Sequence, residues 1–188
     1  MNHQASEEEQ LLIAGCKHKE MWARKKLYER YAPTMMGLCI RYTSDRETAR
    51  DVLQEGFIKL FTKIDGYAGT GSFEGWMRRV FATTALEYLQ KNQSARFFDE
   101  YDEKIEDTGS SALEKLSADE LLACIAELPH GFRTIFNLYA IEGYSHSEIA
   151  EILKIKESTS RSQFARARQL LQKNLQSIVM YENARRNK

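Results

Sequence analysis

Residues 143–171 read GYSHSEIAEILKIKESTSRSQFARARQLL. Ser145 followed by Glu148 is a capping box: the serine oxygen accepts an orphan N–H of the first turn, and the glutamate reaches back to the cap. The spacing predicts a helix over 146–153, with Ile149, Ile152 and Leu153 as its inner face. A turn of three to four residues around 155–157 leads to a second helix, predicted over 158–180. There Phe164, Ala167, Leu171, Leu175 and Ile178 share one side, and Ser162, Arg166, Gln169 and Lys173 lie opposite. Thr159 and Gln163 flank the stripe near the helix start. Two short helices joined in this way form a helix-turn-helix, whose second helix enters the major groove with its first turns against base edges. Gln163 suits the edge of adenine, and Thr159 and Ser162 suit either base type. Arg161, Arg166, Arg168 and Lys173 suit phosphates. The competing reading is a plain helical hairpin, with Arg161 and Arg168 laid over its core.

Working outward, Phe132, Ile135, Phe136 and Tyr139 recur at i, i+3, i+4 and i+7 and predict a helix over 130–142, which Gly143 ends. Pro129 suits the first turn of that helix and stops one predicted over 113–128. Further boxes at Ser6/Glu9, Ser44/Glu47 and Ser117/Glu120 stand before helical periodicity. Helices are predicted over 6–17, 20–43, 45–64 and 73–92, with Pro33 expected to kink or divide the second. The stretch DGYAGTGS at 65–72 is too rich in glycine to continue a helix. Residues 93–112, QSARFFDEYDEKIEDTGSSA, are acidic and without a period, the pattern of a tether. The predicted fold is all-α: two small helical bundles, 1–92 and 113–188, joined by an acidic linker over 93–112.

The formal net charge of +0 conceals a pattern. Residues 1–98 carry a balance of +3, residues 99–127 of −8 and residues 128–188 of +5. Two basic segments around an acidic one fit a nucleic-acid binder with an acidic tether, and equally a solvated linker between two domains. Cys16, Cys39 and Cys124 are scattered, with neither CxxC nor zinc-ligand spacing, and read as buried free thiols in a reducing compartment. No metal and no cofactor are expected. The polar start MNHQASEEEQ does not read as a signal peptide, and no run of 18 apolar residues suggests a membrane span.

In DVLQEGFIKLFTKI, residues 51–64, Leu53, Phe57, Leu60, Phe61 and Ile64 make the buried face. Asp51, Gln54, Glu55 and Gly56 stay near another side, a face suited to a basic partner. The carboxylates have no histidine or nucleophile beside them, which argues against acid–base catalysis. In SFEGWMRRVFATTALEYLQK, residues 72–91, Phe73, Trp76, Met77, Val80 and Thr84 share one side, while Arg78, Arg79 and Ala82 point elsewhere. Aromatic rings beside paired arginines suit single-stranded nucleic acid, where bases stack and the backbone meets cations. Core packing is the other use for these rings, above all for Phe73.

Together these stretches resemble a bacterial RNA polymerase sigma factor of the extracytoplasmic-function (ECF) branch of the sigma-70 family. DVLQEGFIKLF is similar to the core-polymerase-binding helix of sigma domain 2, and GSFEGWMRRVFATTALEYLQKN to the next helix, which handles the promoter −10 element. LPHGFRTIFNLYAIEGYSHSEIAEILKIKESTSRSQFARAR is similar to sigma domain 4, which reads the −35 element. The resemblance implies that Asp51, Gln54 and Glu55 dock on the basic clamp coiled coil of polymerase. It implies that the loop with Gly69, Thr70 and Gly71 takes up a base flipped from the −10 strand, with Trp76, Arg78, Arg79 and Thr83 supporting that strand. It places Ser158, Thr159, Arg161, Ser162, Gln163, Arg166 and Lys173 on the −35 element. It further implies core RNA polymerase, promoter DNA and an anti-sigma factor as partners, a cytoplasmic location, no membrane insertion and no enzymatic activity. The chain departs from the family pattern in Thr83 for the usual asparagine, Phe81 for a small residue, Ser158-Thr159-Ser160-Arg161 for Gly-Thr-Val-Lys, and Gln163 for a frequent arginine.

Two other readings stand beside this one. A stand-alone helix-turn-helix regulator needs a receiver or ligand domain in the first half, where no βαβ alternation is visible. A helical interaction protein without DNA leaves the polar face of 158–175 unexplained. Among His3, His18, His130 and His146 no triad or HExxH setting suggests an enzyme.

Overall fold

The computed structural model describes residues 7–92 and 118–186, with the side chains of 7–91 and 121–175. Among the described residues the ordered elements are helical and none is a strand. The chain divides into two units, Met1–Ser94 and Ala95–Lys188. The tether expected over 93–112, Ser6 and Ser117 lie outside the described residues.

Unit 1 holds α1 (Glu7–Lys17), α2 (Met21–Thr43), α3 (Arg46–Lys63) with a 3₁₀ turn over Ile64–Gly66, and α4 (Phe73–Asn92). Three acidic residues open α1 and Lys17 closes it, both favourable to the helix dipole. Its apolar face, with Leu12, Ile13 and Cys16, is buried. The core is the shared interior of α2, α3 and α4: Leu27, Met35 and Leu38 from α2, Val52 and Leu60 from α3, and Phe73, Met77 and Phe81 from α4. Each such fully buried side chain contributes about 1.5–3 kcal/mol of apolar burial.

Pro33 does not divide α2, which runs unbroken from Met21 to Thr43. Pro33 faces solvent, and Tyr31 and Met35 on either side are buried, so tertiary packing holds both halves against the lost hydrogen bond. The capping box expected at Ser44/Glu47 is also replaced. Ser44 ends α2 in the left-handed region, at φ 67°, its N–H donating to Ile40 O. The cap of α3 is Asp45, whose Oδ1 accepts the Thr48 N–H at 2.7 Å. That bond holds the Asp45 carboxyl below its usual range.

Unit 2 holds α5 (Ala118–Ala126), α6 (His130–Phe136), a π turn over Asn137–Ile141, α7 (His146–Leu153) and α8 (Glu157–Arg186). Cys124 and Ile125 at the end of α5, and Leu128 just beyond it, pack with Phe132, Ala167, Leu171 and Leu175. Arg133 is buried and donates from Nη1 to Ala126 O at 2.6 Å, which satisfies an orphan carbonyl at the end of α5. In the π turn Glu142 N–H donates to Asn137 O, five residues back. The wider turn puts Leu138 in the core and leaves Tyr139, assigned to the apolar stripe by its spacing, 39% exposed. Cys16, Cys39 and Cys124 are buried free thiols. Burial pushes the Cys16 thiol up to about 11 and that of Cys39 to about 12.

Candidate nucleic-acid interface

On α3 the buried positions are Ala49, Val52, Leu53, Gly56, Phe57 and Leu60. Asp51, Gln54 and Glu55 fall between them on the wheel and are exposed. Ile58, 55% exposed, continues the same face one turn on. Gly56, read from the sequence as part of that outer side, is instead inside. A Cβ there would stand 2.6 Å from Cδ1 and 2.9 Å from Cζ of Phe81. Phe81 fills the space that this glycine leaves, in edge contact with Phe57 at 5.0 Å between centroids. A large residue at 81 and a glycine at 56 therefore belong together.

The loop between α3 and α4 is exposed at Gly69, Thr70 and Gly71. Both glycines adopt positive φ, 75° and 76°, which a side chain resists. Tyr67 anchors the loop: its ring is buried 5.1 Å from that of Phe73, and its hydroxyl donates to Gly71 O at 2.9 Å. Lys17 Nζ donates to Tyr67 O at 2.9 Å. Ser72 then starts α4, its Oγ accepting the Gly75 N–H at 3.2 Å. The loop tip is thus open while its base is fixed.

Along α4 Phe73 is core, 1% exposed. Trp76 is half-buried and stacks on Phe73, 5.8 Å away at 25°. Arg79 and Thr83 are exposed, and Arg78 is half-buried with Nη1 3.9 Å from Glu74. Ala82, placed by its wheel position with the two arginines, is buried among the core residues. A groove between α3 and α4, about 200 Å³, is lined by Lys59, Lys63, Trp76, Arg79, Thr83 and Glu87 among others. The Thr83 hydroxyl donates to Arg79 O at 2.8 Å, so toward the groove it can only accept.

In unit 2 the full capping box at Ser145/Glu148 forms, with Ser145 N–H donating to Glu148 Oε2 at 2.8 Å. Lys154 ends α7 in the left-handed region at φ 55°. The turn then feeds α8, whose Ser158, Arg161 and Ser162 are exposed, Thr159 and Arg166 half-buried, and Lys173 exposed. Ala165, one turn from Ser162 and Arg161, shares that exposed side. Glu157 holds Arg161 in an ion pair at 2.5 Å, and Ser162 Oγ donates to Thr159 O at 3.0 Å.

Gln163 departs from its assignment as a reader of adenine. It is 5% exposed, and its Oε1 is buried without a hydrogen-bond partner. The inner stripe of α8 begins earlier than the apolar residues indicate: Ser160, Gln163, Ala167, Leu171 and Leu175 form one buried line. Ser160 is fully buried and shares a hydrogen bond of 2.9 Å with His146 Nδ1. The His146 ring stacks on Tyr139 at 4.2 Å. Burial, then the Arg161 charge, holds His146 below its ordinary value. Lys59, Lys63, Glu87 and Ala165 escaped the sequence reading. Only the helical interval from Ser162 could have drawn attention to Ala165.

Among the described residues no group of His, Cys, Asp or Glu is placed to hold a metal ion, and no helix is long and apolar enough to cross a membrane. Residues 27–95 match the family described as Sigma-70 region 2, and residues 118–171 the family described as Sigma-70, region 4. The RNA polymerase sigma-H factor of Pseudomonas aeruginosa is 30% identical over 188 residues, covering 92% of this chain and 96% of the relative. The ECF RNA polymerase sigma-E factor of Haemophilus influenzae is 29% identical, covering 91% and 97%. A solved structure of the sigma factor RpoE in complex with the anti-sigma factor NepR from Bartonella quintana has a similar fold, with a TM-score of 0.52 and 20% identity over 81% of this chain and 96% of that one.

Proposed function

The chain belongs to the sigma-70 family, in its extracytoplasmic-function branch, and on that premise we propose which of its surfaces meet polymerase and promoter. It is a transcription initiation factor: it binds core RNA polymerase and directs it to promoters. The sigma-70 family consists of initiation factors rather than enzymes.

In this assignment residues 1–92 serve as sigma domain 2, residues 93–112 as the linker and residues 113–188 as sigma domain 4. Asp51, Gln54 and Glu55 dock on a basic surface of polymerase. Gly69, Thr70 and Gly71 receive a base of the −10 strand. Trp76, Arg78, Arg79 and Thr83 support that strand, since a flipped base gives up stacking energy that the protein must return. Ser158, Thr159, Arg161, Ser162, Arg166 and Lys173 face the −35 element, without Gln163. Two modest contacts carried by one polymerase act as a multivalent reader, so promoter spacing matters as much as either element. The cytoplasm is the proposed site of action. An anti-sigma protein is the proposed negative partner, supported by the family and by the complex in which the structural neighbour was solved.

The observation that carries the reading is the pair of surfaces within unit 1: Asp51, Gln54 and Glu55 are exposed together on α3, and on α4 the exposed Arg79 lies beside a half-buried Trp76. The test is to add the purified chain to core polymerase and map transcription starts on genomic DNA. Starts absent with core alone support the reading, and no new starts, where a reference sigma factor gives its own, defeats it. Within that reading, replacing Gln54 and Glu55 together by alanine lowers affinity for core polymerase with the fold intact. Unchanged affinity removes α3 as the docking face.

A further inference from the structure

The loop that presents Gly69, Thr70 and Gly71 is tied at two carbonyls, and the first tie comes from α1, a helix with no part in the assigned surfaces. Lys17, the last residue of α1, is half-buried and donates from Nζ to Tyr67 O at 2.9 Å, 50 positions further along the chain. Tyr67 in turn reaches across the loop, its hydroxyl donating to Gly71 O at 2.9 Å. The two carbonyls held in this way bracket Ala68, Gly69 and Thr70, all exposed. The Tyr67 ring is buried 5.1 Å from Phe73 and 5.5 Å from Trp76, so the same side chain also touches the start of α4. Burial, then the charge of Glu9, holds the Tyr67 hydroxyl above its usual range and keeps it a donor. Glu9 lies about two turns before Lys17 on α1 and accepts the hydroxyl of Tyr31 from α2, whose ring meets Phe73 edge-on at 6.1 Å. With Leu12, Ile13 and Cys16 buried between these two polar ties, α1 is fixed against α2 at one end and against the loop at the other.

We propose that Lys17 is a positioning residue for readout of the −10 element: it holds the base of the loop in the geometry that receives a flipped base and does not itself touch DNA. The proposal rests on the assignment of Gly69, Thr70 and Gly71 to the −10 strand and adds α1 to what stands behind them. Two glycines at positive φ give the tip many backbone states once its ends are released. Ordering those residues only when a base arrives would subtract the lost entropy from binding, and the two carbonyl ties settle it in advance. A loop with one tie cut is competent for part of the time, and its affinity for the strand falls by that fraction. An ammonium suits the task because its bond to a carbonyl is charge-assisted and stronger than one between neutral groups. Lys17 has a plainer use, as a cation favourable to the carboxyl end of α1. That use calls for the charge and not for the Tyr67 carbonyl, so the two roles separate by experiment.

The test uses holoenzyme, the full chain on core polymerase, and a promoter fragment from the start-site map opened over the −10 element. An abasic site is moved along the non-template strand to find the position where the parent holoenzyme loses most affinity. Lys17→Met keeps the stem and removes the donor. It should weaken binding to the intact fragment about two- to tenfold, the worth of one hydrogen bond, and change nothing on the fragment abasic at that position. The slope of log affinity against log salt should stay that of the parent, and Lys17→Arg should restore the affinity. Tyr67→Phe keeps the ring and should reproduce the defect, with the double variant losing less than the two singles together. Unchanged binding by Lys17→Met overturns the proposal, as does a loss that persists on the abasic fragment or that Lys17→Arg leaves unrepaired. A slope reduced by about 1 would make Lys17 a direct phosphate contact, and faster amide exchange throughout α1 would make it a support of that helix alone; either result overturns the proposal. In all of these cases the abasic penalty of the parent leaves the loop assigned to the −10 strand. If no position costs the parent affinity when abasic, the loop assignment falls and the role of Lys17 with it.

Discussion

Replacing Gln163 by leucine should stabilise unit 2 and leave promoter choice alone. Gln163 stands in the buried line of α8 between Ser160 and Ala167, with Oε1 unpartnered. A buried acceptor without a donor costs about 1–3 kcal/mol. Leucine removes the orphan atom at similar volume, and its branched shape returns less than about 1.5 kcal/mol of strain. The net expectation is a gain of about 1 kcal/mol, equivalent to a rise of about 4–8 °C for a domain of this size. Both tryptophans, Trp22 and Trp76, belong to unit 1, so fluorescence does not follow the change. Amide hydrogen exchange across 160–175 does, and protection there should increase. Start-site maps with the leucine variant should show the −35 preference of the parent chain. Faster exchange in α8, or a preference relaxed at one −35 position, would refute the burial argument and return Gln163 to the DNA face.

Two further outcomes follow from the packing and the titrating groups. Gly56→Ala should destabilise unit 1 by about 1–3 kcal/mol through overpacking against Phe81, and Phe81→Leu in the same chain should recover part of the loss in a denaturant titration. His146 and His130 are held below the ordinary value of 6.5, by burial first and then by Arg161 and Arg133 respectively. The unfolded chain therefore binds protons that the folded one refuses, so their stability contribution is full above pH 6.5 and is lost as the pH falls below it. Exchange protection in unit 2 should drop as the pH falls below 6.5, and His146→Gln should flatten the drop.

The helices were legible because their ends are written locally. Ser145 and Glu148 make the predicted box, and Gly143 takes the positive φ of 78° that ends the preceding segment. Where two local signals compete, the sequence is ambiguous: Ser44 and Asp45 are both competent caps, and only the closure of α2 onto Ile40 leaves the role to Asp45. Gln163 was misplaced for a related reason. Its polarity pointed outward and its interval of four from Ala167 pointed inward, and packing decided for the interval. Lys59 and Glu87 lie 28 positions apart, so no periodic pattern could have joined them.

The wide turn over Asn137–Ile141 has a bearing on comparison with relatives. Such a turn accommodates one more amino acid than an α-helix does over the same rise, the form that a single inserted residue takes when a helix absorbs it. A chain that kept α-helical spacing here would present a different side chain to His146 at the place of Tyr139. Matching homologues across this segment by column number alone would then pair surface positions with interior ones, and the offset would persist until the next gap restored the count.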